Sequence, residues 1–213
     1  MIRYFQGRER NRFPREADEM FRLRARQFRD RLNWQVEVDN GREIDEFDRM
    51  NPLYLVSLEE GNDEVAGCLR FLPTTGPTMM KAVFDRYFDT PVDIESPLIW
   101  ECTRMAIEPS IAMRRTTPTG LCKTTAELLQ GAGEVAMMAG VEQIVGIFDR
   151  LMVRIYRRAG CAPEIIASTD KLGPVVYFGI WDVSEAGLQA LRERSGFFGS
   201  VLEEMTPLLN AAA

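Results

Sequence analysis

Several charged and aromatic residues occupy positions where a helix or strand cannot leave them unpartnered. Arg24 and Phe28 are four residues apart, so on a helix they share a face. Arg24 then lies on or beside an apolar stripe and must be ion-paired or bind an anion. Trp34 follows in a polar stretch. It is either a core plug or an aromatic lid over a cation or purine. Asp45 and Asp48 sit side by side on a helical turn of GREIDEFDRM, where they can hold Arg24 or a substrate ammonium. Arg70 interrupts the apolar strand VAGCLRFL and needs a carboxylate from a neighbouring strand. Glu101 and Arg104 share the strand LIWECTRMAI, where a period of two points them to opposite faces. Both enter one site only if the strand is bulged there. A buried Glu101 beside Arg70 or Arg104 is expected to stay ionised and to act as a base, directly or through water.

The composition narrows the chemistry. The chain has 213 residues and no histidine, which excludes Ser-His-Asp triads, Cys-His dyads and His-ligated metals. No metal site is expected. There is no GxGxxG after a strand and no Walker A sequence. The net charge of −6 argues against a nucleic-acid binder. The charge is uneven: residues 1–31 hold ten Arg and five acids, whereas 37–64 hold ten acids and two Arg. These are either two solvated faces or two walls of a polar cleft. Cys68, Cys102, Cys122 and Cys161 have no metal-type spacing and read as reduced thiols of a cytoplasmic protein. No secretory h-region or membrane-length apolar run is present.

The length suits one domain over 1–213. The pattern predicts an amphipathic helix over 16–32, with Met20, Leu23, Phe28 and Leu32 inward. A polar loop over 33–51 follows. Strands are predicted at 53–58 and 64–72, joined through the turn Glu60-Gly61-Asn62-Asp63. Next come a short helix over 78–88, a strand at 99–107 and a long helix over 124–139 closed by Gly140. A strand at 143–148, a helix at 151–159, a strand at 175–183 and a helix at 184–194 complete the order, before a short tail at 211–213. This is an α/β protein, a three-layer α-β-α sandwich with a mixed, mostly antiparallel sheet. The alternation after residue 98 resembles the GNAT acyltransferase core. The segment MRRTTPT at 113–119 does not match the Q/RxxGxG/A pyrophosphate loop of that group.

The separate residues form one pattern. LRARQF, LNW, EIDEFD, GCLRFLPTTGP, Phe84 and IWECTRMAI resemble the acyl-homoserine-lactone synthases, which make bacterial quorum-sensing signals. The resemblance implies acylation of S-adenosylmethionine by an acyl thioester, usually on acyl carrier protein, then lactonisation with loss of methylthioadenosine. S-adenosylmethionine is a substrate, so no cofactor is implied. Under the resemblance, Arg24, Asp45, Asp48 and Arg104 shape the S-adenosylmethionine site, and Phe28 and Trp34 cover its nucleoside and sulfonium. Glu101 and Arg104 are the catalytic residues, with Glu101 either the base or the partner in a structural Glu101–Arg pair, and Arg70 sits in its charged cluster. Thr103 and Phe84 shape the site, and backbone N–H groups near 102–107 face the oxyanion. Met105 and Gly146 belong to the acyl pocket, where a glycine offers no hydroxyl to a 3-oxo group. The implied chain is medium or long and unsubstituted or 3-hydroxylated. Ala136, Met137, Met138 and Met152 either line an apolar tunnel or are ordinary core. Arg150, Arg154, Arg157 and Arg158 recur at helical spacing and form either a patch for the acidic carrier or a solvated face. Two other readings stand beside this one: an N-acyltransferase using coenzyme A thioesters and another amine, and a non-catalytic module binding an acyl ligand.

Overall fold

The computed structural model describes residues 1–61 and 63–204. Asn62 of the expected turn and the 211–213 tail lie outside the described residues. The elements in chain order are β1 (Ile2–Gln6), α1 (Pro14–Ala25), β2 (Val38–Asp39), β3 (Arg42–Glu43), β4 (Leu53–Leu58), β5 (Val65–Pro73), β6 (Ile99–Ile107), α2 (Pro109–Ala112), α3 (Lys123–Met138), β7 (Gln143–Asp149), α4 (Arg150–Ala159), β8 (Glu164–Thr169), β9 (Val176–Asp182) and α5 (Glu185–Ser195). Seven strands form one sheet in the order β1-β4-β5-β6-β7-β9-β8. Among the described strands of this sheet, only β6 and β7 are parallel. The expected mixed sheet between helical layers is therefore observed.

Each face of the sheet buries one layer. Met20, Phe21 and Leu23 of α1 pack with Tyr54, Val56 and Cys68 on one face. Leu128, Ala132 and Val135 of α3 pack with Leu55, Leu69 and Phe71 on the other. Both edge strands, β1 and β8, escape the sequence reading. Each is short, and β8 is largely exposed, so neither carries a long apolar or alternating signal. The first helix also differs from the expected 16–32. Its α-helical part ends at Ala25, and residues Arg26–Arg31 form a π-helical turn. The wider turn keeps Phe28 buried but leaves Leu32 40% exposed, off the stripe assigned to it. The short helix is a π-helical turn at Met80–Phe84 followed by a 3-10 turn at Asp85–Tyr87.

Two irregularities position the site. The first is in β6. Cys68 faces Ala106 and Arg70 faces Thr103, so Leu69 alone spans Arg104 and Met105. This is a bulge, and Arg104 adopts φ +54° within it, a left-handed conformation that costs a residue bearing a Cβ. It turns Thr103 and Arg104 toward the same layer. The second is the short β6–β7 pairing, which covers only Ile99–Cys102 against Gln143–Gly146. Beyond it β6 follows β5, β7 follows β9, and a gap opens between them.

The sheet meets α3 closely at Gly67. A Cβ there would lie 2.7 Å from Thr124 Cγ2 and 3.1 Å from the Ala106 carbonyl oxygen. Gly67→Ala is expected to destabilise the fold by about 1–3 kcal/mol, seen as a lower urea midpoint at unchanged m-value.

Candidate active site

Three guanidinium groups and three carboxylates meet beneath α1. Arg24, fully buried on α1, donates to Asp48 through both terminal nitrogens at 2.9 and 2.8 Å and also to Glu43. Arg70, equally buried on β5, donates to Asp45 at 2.5 and 3.0 Å, to Asp48 at 2.8 Å and to Thr103 Oγ1 at 3.0 Å. Arg104, delivered by the bulge, donates to Glu43 at 3.1 Å and pairs with Asp45 at 2.9 Å. Local structure explains the acids. Glu43 ends the small β2–β3 hairpin. Asp45 N-caps the 3-10 turn Glu46–Arg49 and exchanges backbone-to-carboxylate hydrogen bonds with Asp48. The Tyr54 hydroxyl donates to Asp48 at 2.8 Å.

These contacts fix the charge states. Burial opposes ionisation of Asp48, but Arg24 and Arg70 outweigh it and hold the carboxyl far below its ordinary range. Burial likewise opposes the Arg24 cation, and Asp48 and Glu43 restore it and more. Three cations and three anions sum to zero.

Glu101 stands outside that sum. It is fully buried on β6, and its oxygens accept from the backbone N–H groups of Met79 and Met80 at 2.8 and 2.6 Å. Burial raises its proton affinity above the usual carboxylate level, and the two N–H groups, with Arg70 and Arg104 at longer range, only partly offset this. The expectation that an adjacent arginine holds Glu101 ionised is corrected here. Arg70 pairs with Asp45 and Asp48 instead, so it does not sit in an ion pair with Glu101. The Met79 thioether links the parts, accepting from Arg70 and Arg104 at 3.3 Å each. The site thus carries one carboxylate more than its cations neutralise, and that carboxylate is easily protonated. Such a site suits a cationic substrate that must give up a proton.

A cleft of about 1790 Å³ runs from this cluster through the β6–β7 gap. At its outer end Trp34, 47% exposed, stacks on Phe28 with ring centroids 5.1 Å apart. The Arg104 guanidinium lies over Phe28 at 5.3 Å. Glu101, Thr103, Met105, Gly146 and Phe84 all line the cleft. A family model described as autoinducer synthase matches residues 8–207. The acyl-homoserine-lactone synthase of Rhizobium etli is 40% identical over 195 residues, covering 91% of this chain and 88% of the relative. The chain belongs to the autoinducer synthase family. The solved CoA-dependent acyl-homoserine lactone synthase BjaI, with SAM and isopentyl-CoA, superposes with a TM-score of 0.84 at 24% identity, covering 98% of this chain and 95% of that one. A protein described as an N-acetyltransferase of Lactobacillus plantarum shares the broader fold, with a TM-score of 0.55 at 16% identity, covering 86% of this chain and 99% of that one.

The remaining candidates of this synthase-family chain separate by face. Glu101, Thr103 and Arg104 face the α1 layer, whereas Met105 packs with the α3 layer. Gly146 pairs with Cys102, and a Cβ on it would lie 3.0 Å from the Cys102 carbonyl oxygen. Close strand approach therefore accounts for this glycine. Phe84 packs behind the site with Met80 and Phe88 while lining the cleft. Arg150, Arg154, Arg157 and Arg158 are exposed on α4, whose other face, with Met152 and Ile155, lines the cleft. Of the possible tunnel residues only Met152 lines it. Ala136 is core, and Met137 and Met138 are 37% and 54% exposed. Among the described residues no cluster resembles a metal site and no helix is long and apolar enough to cross a membrane.

Sequence reasoning missed Glu43, Tyr54 and Met79. Counting charges exposes Glu43: Arg24, Arg70 and Arg104 need three acids, and Asp45 and Asp48 supply two. Glu43→Ala leaves Arg24 and Arg104 short of a partner. It is expected to cost about 3–5 kcal/mol, measured by chemical denaturation. Because the folded value of Asp48 lies below its unfolded value, its contribution is present at neutral pH. It is lost as pH falls below about 4. Asp48→Asn is therefore expected to be less stable at neutral pH and to show a flatter acid limb than wild type.

Proposed function

We propose that the chain, an acyl-homoserine-lactone synthase by family, joins S-adenosylmethionine to a medium or long, non-3-oxo acyl chain delivered on acyl carrier protein. The single observation that carries the first half is the excess carboxylate, Glu101, in a cleft whose other buried charges cancel. S-adenosylmethionine brings a sulfonium and an ammonium to it, and the Phe28–Trp34 stack offers its adenosine an aromatic wall.

The chemistry follows from which groups are charged. An ammonium cannot attack, so Glu101, directly or through a water, takes one amine proton. The amine nitrogen then bonds to the thioester carbonyl carbon, the C–S bond breaks, and the second proton lost from nitrogen goes to the departing sulfur, releasing the carrier thiol. Backbone N–H groups around the Arg104 bulge would stabilise the oxyanion of this step. In the second step the methionyl carboxylate bonds to Cγ, and the Cγ–S⁺ bond breaks to release neutral methylthioadenosine. This step needs no base, and neither step needs a cofactor.

Support for the carrier comes from α4. Its four exposed arginines back the helix face that walls the cleft, so an acidic carrier docked there holds its thioester near the β6–β7 gap. Support for the chain comes from Gly146, which has no hydroxyl to meet a 3-oxo group.

The deciding experiment supplies S-adenosylmethionine with a panel of carrier-protein and coenzyme A thioesters. It reads methylthioadenosine release and identifies the lactone by mass spectrometry. Lactone with methylthioadenosine release is expected, and amide formation on another amine without it would sink the reading. Glu101→Gln is expected to lower kcat by about 10²-fold or more, a larger loss than the weakening of S-adenosylmethionine binding read by calorimetry. The wild-type rate is expected to fall on the acid side through an apparent pKa above the ordinary carboxylate value, a limb the Gln variant lacks. Arg154→Glu with Arg157→Glu should raise KM for the acyl carrier protein and spare the coenzyme A thioester. An unchanged KM for the carrier would remove the docking surface.

A further inference from the structure

The cleft does not end at the β6–β7 gap. It continues behind the sheet, and its far wall is formed by Leu129 and Gly133 of α3 and by Gly187, Leu188 and Leu191 of α5. On α3 the lining positions are Thr125, Leu129, Ala132 and Gly133, one face at helical spacing. From Thr125 to Gly133 that face runs for about 12 Å.

Two glycines interrupt the interior of α3, where each costs about 1 kcal/mol relative to alanine. Gly131 has a packing reason: a Cβ there would lie 3.1 Å from Ile2 Cγ1. Gly133 has none. Its nearest neighbour would be Leu188 Cδ1 at 3.5 Å, an ordinary van der Waals contact, and its φ is not positive. Gly187 opposite has a local reason: a Cβ there would lie 3.3 Å from Ser184 Oγ, which caps α5. The missing side chain at 133 serves the cavity rather than the fold.

We infer that Gly133 sets the acyl-chain length: the seam between α3 and α5 receives the end of a long unbranched chain, and a side chain at 133 would fill that space. The inference rests on the synthase reading above and names the substrate class that fits it. Gly133 lies far from the ion cluster and on the opposite face of the sheet, so it touches length and leaves the chemistry alone.

The test compares wild type, Gly133→Leu and Gly133→Ala on butanoyl, octanoyl, dodecanoyl and hexadecanoyl thioesters, reading methylthioadenosine release. Wild type is expected to use the dodecanoyl or hexadecanoyl donor. Gly133→Leu is expected to lose at least about tenfold on those donors while staying within about twofold on butanoyl. Gly133→Ala is expected to melt higher than wild type and to lose about threefold or more on hexadecanoyl relative to butanoyl. It carries the test alone if the Leu variant fails to fold. A long-to-short ratio unchanged in the folded variants overturns the inference and leaves the synthase reading intact, as does a wild type confined to butanoyl. Absence of methylthioadenosine release with every donor overturns both.

Discussion

The architecture depends on burying three guanidinium groups. Arg24, Arg70 and Arg104 come from α1, β5 and β6, and no carboxylate on those elements neutralises them. All three partners come instead from Glu43, Asp45 and Asp48. An unpaired buried charge costs several kcal/mol, so the 43–48 segment must be held in one conformation. The β2–β3 hairpin and the Asp45–Asp48 capping box do this with backbone hydrogen bonds. The polar stretch between the first helix and the sheet, loop-like by composition, is thereby as fixed as a core element. It also spans the two charge blocks: the arginine-rich start and the acidic stretch meet through Arg24.

The sheet yields where the cluster needs it. A regular β6 would point Arg104 away from Thr103, and the bulge corrects this at the cost of a left-handed arginine. The same irregularity interrupts the β5–β6 ladder. Two residues earlier, β6 parts from β7. Strain, ion pairing and opening of the sheet therefore fall within a few residues of Glu101. A bulge placed elsewhere would separate the arginine from its acids, and a longer β6–β7 pairing would close the passage between the two faces.

Much of this was legible in the sequence, for identifiable reasons. The central strands carry apolar runs and α3 an apolar stripe, with glycine stops at Gly140 and Gly160. The need for a bulge followed from Glu101 and Arg104 standing three apart in one strand. Edge strands β1 and β8 were illegible because short, half-exposed segments leave little periodicity. Glu43 was hidden because an acid in an acidic run looks solvated until the arginines are counted. The state of Glu101 was misread for a related reason. Its partners are the backbone N–H groups of Met79 and Met80, which no side-chain motif encodes.

That difference between Glu101 and the other acids is the chemical point of the site. Asp48, among arginines, is locked as an anion and is useless as a base, because protons scarcely bind it. A carboxylate held by two amide N–H groups in a desolvated position binds a proton more readily. Pairing Glu101 with Arg70 would have made it a second Asp48. The three-to-three cluster pairs the nearby arginines with other acids, so their pull on Glu101 lowers its proton affinity by less than burial raises it. A well-packed apolar replacement of the cluster would match its contribution to stability within a few kcal/mol. It would not supply this division between carboxylates that stay charged and one that can exchange a proton.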